Sequence, residues 1–112
     1  MALNKYYKKW DVVLVDLDLV KGKDISKTRP CLVISPNAMN KYLDTLIVAP
    51  FTSTERKYPS RLSVNFKGRQ SEVCFDHLKS VSVDRVVQIQ GTLDPKMRKP
   101  VNELLREMFS EE

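Results

Sequence analysis

The chain has 112 residues, enough for one compact core and too few for two, so a single domain over residues 1–112 is expected. Apolar residues make up 42% and charged residues 29%, which excludes a disordered or fibrous chain. Lysine and arginine outnumber aspartate and glutamate 19 to 14, a net charge of +5 that favours an anionic partner without requiring one.

Met1 leads into Lys5, Tyr6, Tyr7, Lys8 and Lys9 with no apolar core behind them, so no secretory leader is read and a cytoplasmic location is expected. From Asp11 to Asp18 the odd positions Val13, Val15 and Leu17 form one apolar face, while Val12, Leu14, Asp16 and Asp18 pass from apolar to acidic on the other. This is a first strand whose far end meets solvent. The following loop, Leu19 to Thr28, contains Gly22, Ser26 and the charged residues Lys21, Lys23, Asp24 and Lys27. It closes with Lys27-Thr28-Arg29-Pro30, and a strand is expected over Cys31 to Ser35, broken by Pro36-Asn37. Arg29 is a cation at a strand entrance, its backbone stiffened by the proline after it, which suits a phosphate or carboxylate.

Thr45 to Ala49 is a third strand, which Pro50 is expected to end because proline cannot donate to a central ladder. A polar loop, Thr52 to Pro59, follows. The Thr52 and Ser53 hydroxyls either cap a turn or donate to a phosphate oxygen, and Arg56, Lys57 and Tyr58 mix cations with an aromatic suited to single-stranded RNA. Arg61 to Lys67 alternates cleanly, and Lys67-Gly68-Arg69-Gln70 turns the chain into Glu72 to Phe75, a hairpin.

Leu78 to Val83 and Val86 to Leu93 supply further short strands, with Gly91 marking a bulge or a close backbone approach. Asp94-Pro95 has the cap and proline of a helix start, and Val101, Leu104, Leu105, Met108 and Phe109 form the stripe of an amphipathic helix. Pro100 requires either a kink or a separate turn before the main helix. No apolar run approaches the roughly 18 residues of a membrane helix. The fold class is therefore mainly β: a small curled antiparallel sheet or partly open barrel with a C-terminal helix, its long loops at one rim.

Cys31 and Cys74 lack CxxC spacing and read as small core residues. His77 adjoins Asp76, and on a regular strand the two side chains point to opposite faces. No metal-ligand spacing, Walker loop or Gly-rich fingerprint is present, so no metal and no cofactor are expected.

The string Asp11-Val12-Val13-Leu14-Val15-Asp16-Leu17-Asp18, then Lys21-Gly22, then Lys27 to Pro36, closely resembles the opening of the MazF/PemK/Kid toxins. Ile47 to Ser53, Tyr58-Pro59-Ser60, Glu72-Val73 with Asp76, and Gly91-Thr92-Leu93 follow in that family's order, so the resemblance covers nearly the whole chain. It implies an SH3-like barrel of the CcdB-like kind, a homodimer, metal-independent and sequence-selective cleavage of single-stranded RNA, and neutralisation by a cognate antitoxin. It also implies that Arg29 and Thr52 are the essential pair, with Asp24 and Asp76 at positions implicated in some members. Three residues depart from the family pattern: Trp10 replaces a glycine, Leu19 a proline and His77 a glutamine.

With that resemblance, Arg29 is assigned to the developing phosphate charge and, through a relayed proton, to the leaving group. Thr52 orients the phosphate, and Asp24 or Asp76 is the candidate base. Lys21, Lys27, Thr28, Ser53, Arg56, Lys57, Tyr58 and His77 are the candidate RNA contacts. Two alternatives stand beside this reading: a CcdB-like toxin that binds gyrase and cuts no RNA, and an RNA-binding module that has lost catalysis.

Overall fold

A computed structural model describes residues 6–17 and 28–112 of the chain. Its strands are β1 (Asp11–Asp16), β2 (Thr28–Val33), β3 (Thr45–Thr52), β4 (Arg61–Phe66), β5 (Arg69–Cys74), β6 (Lys79–Ser82) and β7 (Val86–Thr92). The helices are a short α1 (Asn37–Asn40) and a C-terminal α2 (Arg98–Met108). The strands form a sheet in the order β4-β5-β3-β2-β1-β7, with β6 on β3, and every pairing is antiparallel.

Alternation in β1 puts Val12 on one face and Val13 and Val15 on the other, and both faces are buried. On the first face Val12, Leu32, Ala49, Phe51, Val64, Val73 and Phe75 meet Val101 and Leu104 of α2. On the second, Val13, Val15, Cys31, Val33, Leu46, Val48 and Val81 pack with Tyr7, Leu17, Val83 and Val86. Both cysteines are buried and free, and burial pushes the Cys31 thiol up to about 12, so they are core residues as expected.

The structure corrects several sequence expectations. Strand β2 begins at Thr28, so Arg29 and Pro30 are in the sheet, opposite Val15 and Leu14, instead of closing a loop. Ser35 lies beyond β2; its hydroxyl donates to Asn40 at 2.6 Å and accepts from the Ile47 N–H at 3.0 Å, a buried polar knot under α1. Pro50 does not end β3, which runs to Thr52. Along one edge β6 is registered against Thr45 to Val48 and β5 against Phe51 and Thr52, so Pro50 falls in the gap between ladders, where a missing donor is tolerated.

Asp76 and His77 occupy a 3₁₀ turn (Phe75–His77) where the backbone leaves the sheet, so strand alternation does not apply to them. Their side chains meet, with His77 Nε2 3.4 Å from Asp76 Oδ2.

At the C-terminus, the Asp94 carboxylate accepts from the Lys96 N–H at 3.0 Å and caps a 3₁₀ turn at Pro95–Met97. Helix α2 starts afresh at Arg98, so Pro100 sits in its first turn, where the N–H has no intrahelical partner to lose. Phe109 lies past the end of α2 and is exposed, leaving the apolar stripe to Val101, Leu104, Leu105 and Met108.

Two backbone features fix the position of the β4–β5 hairpin. Lys67 and Gly68 both have positive φ, 52° and 80°, as a two-residue hairpin turn between β4 and β5 requires. Gly91 has φ 154° at a shift in the β1–β7 register, and a Cβ there would stand 3.1 Å from Phe66 Cζ. The expected bulge and close approach coincide at this residue, and they seat the hairpin tip against β7. Trp10, where the family pattern has glycine, keeps a left-handed φ of 81°. Its backbone bridges Val33 and Leu93, and its ring packs on the first core.

Candidate functional site

Strands β2 and β3 are registered from Val33↔Val48 to Cys31↔Pro50. Two steps further along that register Arg29 stands across from Thr52, but β3 has by then turned to β5 through Phe51↔Val73 and Thr52↔Glu72. The two strands part, and a cleft of about 770 Å³ opens between their ends. Thr28, Arg29 and Pro30 form one wall; Phe51, Thr52 and Ser53 form another; Phe66, Lys67, Arg69, Gln70 and Ser71 come from the β4–β5 hairpin; Gln90 comes from β7.

Among the described residues, three cations, Arg29, Lys67 and Arg69, line this cleft, and no Asp, Glu or His does. Among the described residues Arg29 has no carboxylate partner. The Thr52 hydroxyl accepts from the Thr54 N–H at 3.2 Å, which leaves its own O–H to donate into the cleft. The lining is thus an array of cationic and neutral donors with two aromatic rings, suited to an anionic chain that carries planar bases.

A second cluster lies behind the loop that follows β3. Glu72 is a carboxylate at 1% exposure that accepts from the Arg56 N–H at 3.2 and 3.1 Å and from the Lys57 N–H at 2.9 Å. These bonds pin the loop and hold Lys57 at a left-handed φ of 58°. They also hold the Glu72 carboxyl below the usual carboxylate range, with Arg61 assisting from 3.6 Å.

Arg61 makes two hydrogen bonds to Asp76, Nε to Oδ1 at 3.1 Å and Nη2 to Oδ2 at 3.2 Å, and its guanidinium lies 4.9 Å from the Tyr58 ring centre. That hydrogen bonding lowers the Asp76 pKa and raises that of Arg61.

The structure therefore brings together Arg29, Thr52, Thr28 and Ser53 of the residues expected from sequence. It does not bring Asp76, Arg56, Lys57, Tyr58 or His77 into the cleft lining. Asp76, with both oxygens on Arg61 and a lowered pKa, is poorly placed to take a proton. Lys21, Asp24 and Lys27 lie outside the described residues. Among the described residues, no three His, Cys, Asp or Glu side chains gather as a metal would require.

The hairpin contribution, Lys67, Arg69, Gln70 and Ser71, is not legible in the sequence, because Lys67-Gly68-Arg69-Gln70 carries only the local signal of a turn. The role of Glu72 is hardly more legible. The one available signal was a carboxylate placed in the apolar run Glu72-Val73-Cys74-Phe75, where an unpaired charge would be costly.

The profile of a family described as PemK-like, MazF-like toxin of type II toxin-antitoxin system matches residues 8–109. Endoribonuclease EndoA of Bacillus subtilis is 29% identical over 105 residues, covering 88% of this chain and 90% of its own. Endoribonuclease toxin MazF of Escherichia coli K12 is 28% identical over 87 residues, covering 77% and 78%.

Among solved structures, a mycobacterial endoribonuclease in complex with its cognate antitoxin superposes with a TM-score of 0.77 at 19% identity, covering 95% of this chain and 99% of that one. A MazE–MazF structure from Deinococcus radiodurans gives 0.73 at 21% identity, covering 93% and 95%. These two similarities establish the shared fold, a strongly bent antiparallel sheet with a C-terminal helix.

Proposed function

Because the chain belongs to the PemK-like, MazF-like toxin family of type II toxin–antitoxin systems, we propose that it is an endoribonuclease that cuts single-stranded RNA in the cleft where β2 and β3 part. The observation that carries this reading is the convergence of Arg29 and Thr52 from two separating strands on a cationic cleft that no described carboxylate lines. A protein-binding toxin of the gyrase-poisoning kind has no need of such a phosphate clamp.

The chemistry follows from the substrate. In RNA the 2′-hydroxyl adjoins the scissile phosphorus, so the nucleophile is supplied by the substrate, and side chains can fill the remaining roles without a metal. Arg29 faces the negative charge that builds on the phosphorane oxygens, and Thr52 donates its hydroxyl hydrogen to one of them, fixing the phosphate for in-line attack. Lys67 and Arg69 hold flanking phosphates, while the partly exposed Phe66 ring offers a surface for a base.

Attack forms the 2′-oxygen–phosphorus bond as the phosphorus–5′-oxygen bond breaks, leaving a 2′,3′-cyclic phosphate and a 5′-hydroxyl. The proton from the 2′-hydroxyl is assigned to Asp24, since Asp76 is committed to Arg61. Arginine is too basic to release its own proton readily, so Arg29 assists the leaving oxygen through a relayed proton.

The family reading also assigns a cognate antitoxin and a homodimer. A disordered acidic antitoxin segment complements the same cations and would compete directly with RNA. No described helix is long and apolar enough to cross a membrane. Cleavage of transcripts would require a cytoplasmic location, which belongs to the same proposal.

The test is incubation of single-stranded RNA with the purified protein in EDTA, followed by analysis of the new ends. Cyclic-phosphate and 5′-hydroxyl ends are expected, with no cutting where the scissile nucleotide is 2′-deoxy. Cutting at the deoxy position, or intact RNA that is bound but never cut, would overturn the reading.

A further inference from the structure

The main cleft continues into a smaller recess of about 240 Å³, lined by Ser53, Glu55, Gln70 and Ser71. Ser53, Gln70 and Ser71 line both spaces, so an RNA strand lying in the cleft passes the mouth of the recess. Glu55 is what sets the recess apart. Among the described residues it is the one carboxylate lining either space, against Arg29, Lys67 and Arg69 in the main cleft.

Glu55 is not carried on a loose loop. The hydrogen bond from Thr54 N–H to Thr52 Oγ1 lies just before it, and the Glu72 bonds to Arg56 and Lys57 lie just after it. A buried carboxylate thus fixes the backbone that carries an exposed one, so little backbone entropy is lost when Glu55 binds.

An ionised carboxylate accepts hydrogen bonds and donates none, and it repels phosphate. The part of an RNA strand that fits beside Glu55 must therefore present donors. Exocyclic amino groups of guanine, adenine and cytosine do so. Uracil presents two carbonyl oxygens and a single imino N–H. The Gln70 amide, donor and acceptor at once, pairs with the remaining positions of an amino-bearing edge.

We propose that the recess at Glu55 is a base-reading subsite that selects a nucleotide with an exocyclic amino group and rejects uridine beside the cleaved bond. The proposal rests on the ribonuclease reading above and adds to it the residue that sets part of the sequence selectivity.

The experiment exposes a randomised single-stranded RNA pool to the wild-type protein, Glu55→Ala and Glu55→Lys, and sequences the cut ends. For the wild type, uridine is expected to be depleted roughly tenfold to a hundredfold at one fixed position near the cut. Glu55→Ala should abolish that depletion while preferences at other positions persist, and Glu55→Lys, which replaces an acceptor with a donor, should turn it into a preference for uridine.

Unchanged preferences in both variants would overturn the proposal. So would a uniform fall in rate at every site with preferences retained, which would assign Glu55 to the 2′-hydroxyl proton. A parallel selection by binding, from a randomised 2′-fluoro pool that cannot be cut, separates the two readings. If the same position discriminates there and responds to Glu55, the subsite stands even where cleavage fails; if no position does, the subsite is overturned.

Discussion

Arg29 and Arg61 lie within one small domain and have opposite electrostatic fates. Arg29 ends in an open cleft beside Lys67 and Arg69 with no described carboxylate against it. Arg61 is nearly buried, held by Asp76 and Glu72 and stacked by Tyr58. A guanidinium already satisfied by two carboxylates has little left to offer a phosphate, whereas one facing solvent beside other cations gains a partner when RNA arrives. The difference teaches that the Arg61 cluster builds the loop and the Arg29 cluster uses the surface that loop completes.

The comparison is tested most severely at Arg29 itself. Arg29→Ala should reduce cleavage by roughly a thousandfold with an unchanged melting temperature, since an exposed side chain is removed from charge stabilisation alone. Activity that persists in this variant would end the assigned role. Thr52→Val, which keeps the side-chain shape and removes the donor, should cost about tenfold to a hundredfold in kcat.

Asp76→Asn is expected to change cleavage by less than about tenfold while lowering the melting temperature, because it weakens a bidentate pair and removes no proton acceptor from the cleft. A far larger loss in kcat with an intact fold would restore Asp76 as the base.

Acid should reach the Arg61 cluster through stability. Glu72 and Asp76 have folded pKa values below their ordinary 4.5 and 3.8, so their contribution is present above those values and is lost as pH falls through the lower, folded ones. The melting temperature should thus hold from neutrality to about pH 5 and fall below it, and Glu72→Gln should begin lower and show a shallower fall. The smallest effect belongs to Gly91→Ala, expected to cost about 1 kcal/mol by adding a Cβ at positive φ against the Phe66 ring, read as a shift of the denaturation midpoint.

Much of the fold is legible in the residues, since alternation along β1 and β4 and the α2 stripe are set by near neighbours. The strand ends were not. Whether Pro50 terminates β3 depends on β6 and β5 meeting on either side of it, which no local pattern records. Strand alternation would set Asp76 and His77 on opposite faces, but the chain leaves the sheet one residue before them.

What the sequence determined by itself is the set of groups with chemistry to offer: an arginine before a proline, a threonine after a buried strand, an excess of positive charge, and the order in which strands follow one another. Only the tertiary structure decided which charges meet. Asp76 and Glu72 lie 15 and 11 residues from Arg61 along the chain, yet the β4–β5 pairing sets them against it, while Lys67 and Arg69 are carried by the same hairpin to the cleft of Arg29. Periodicity is a property of adjacent residues and can be read one segment at a time. The partner of a charge is set by cross-strand register and by the gap where two strands part, and these exist only once the sheet has closed.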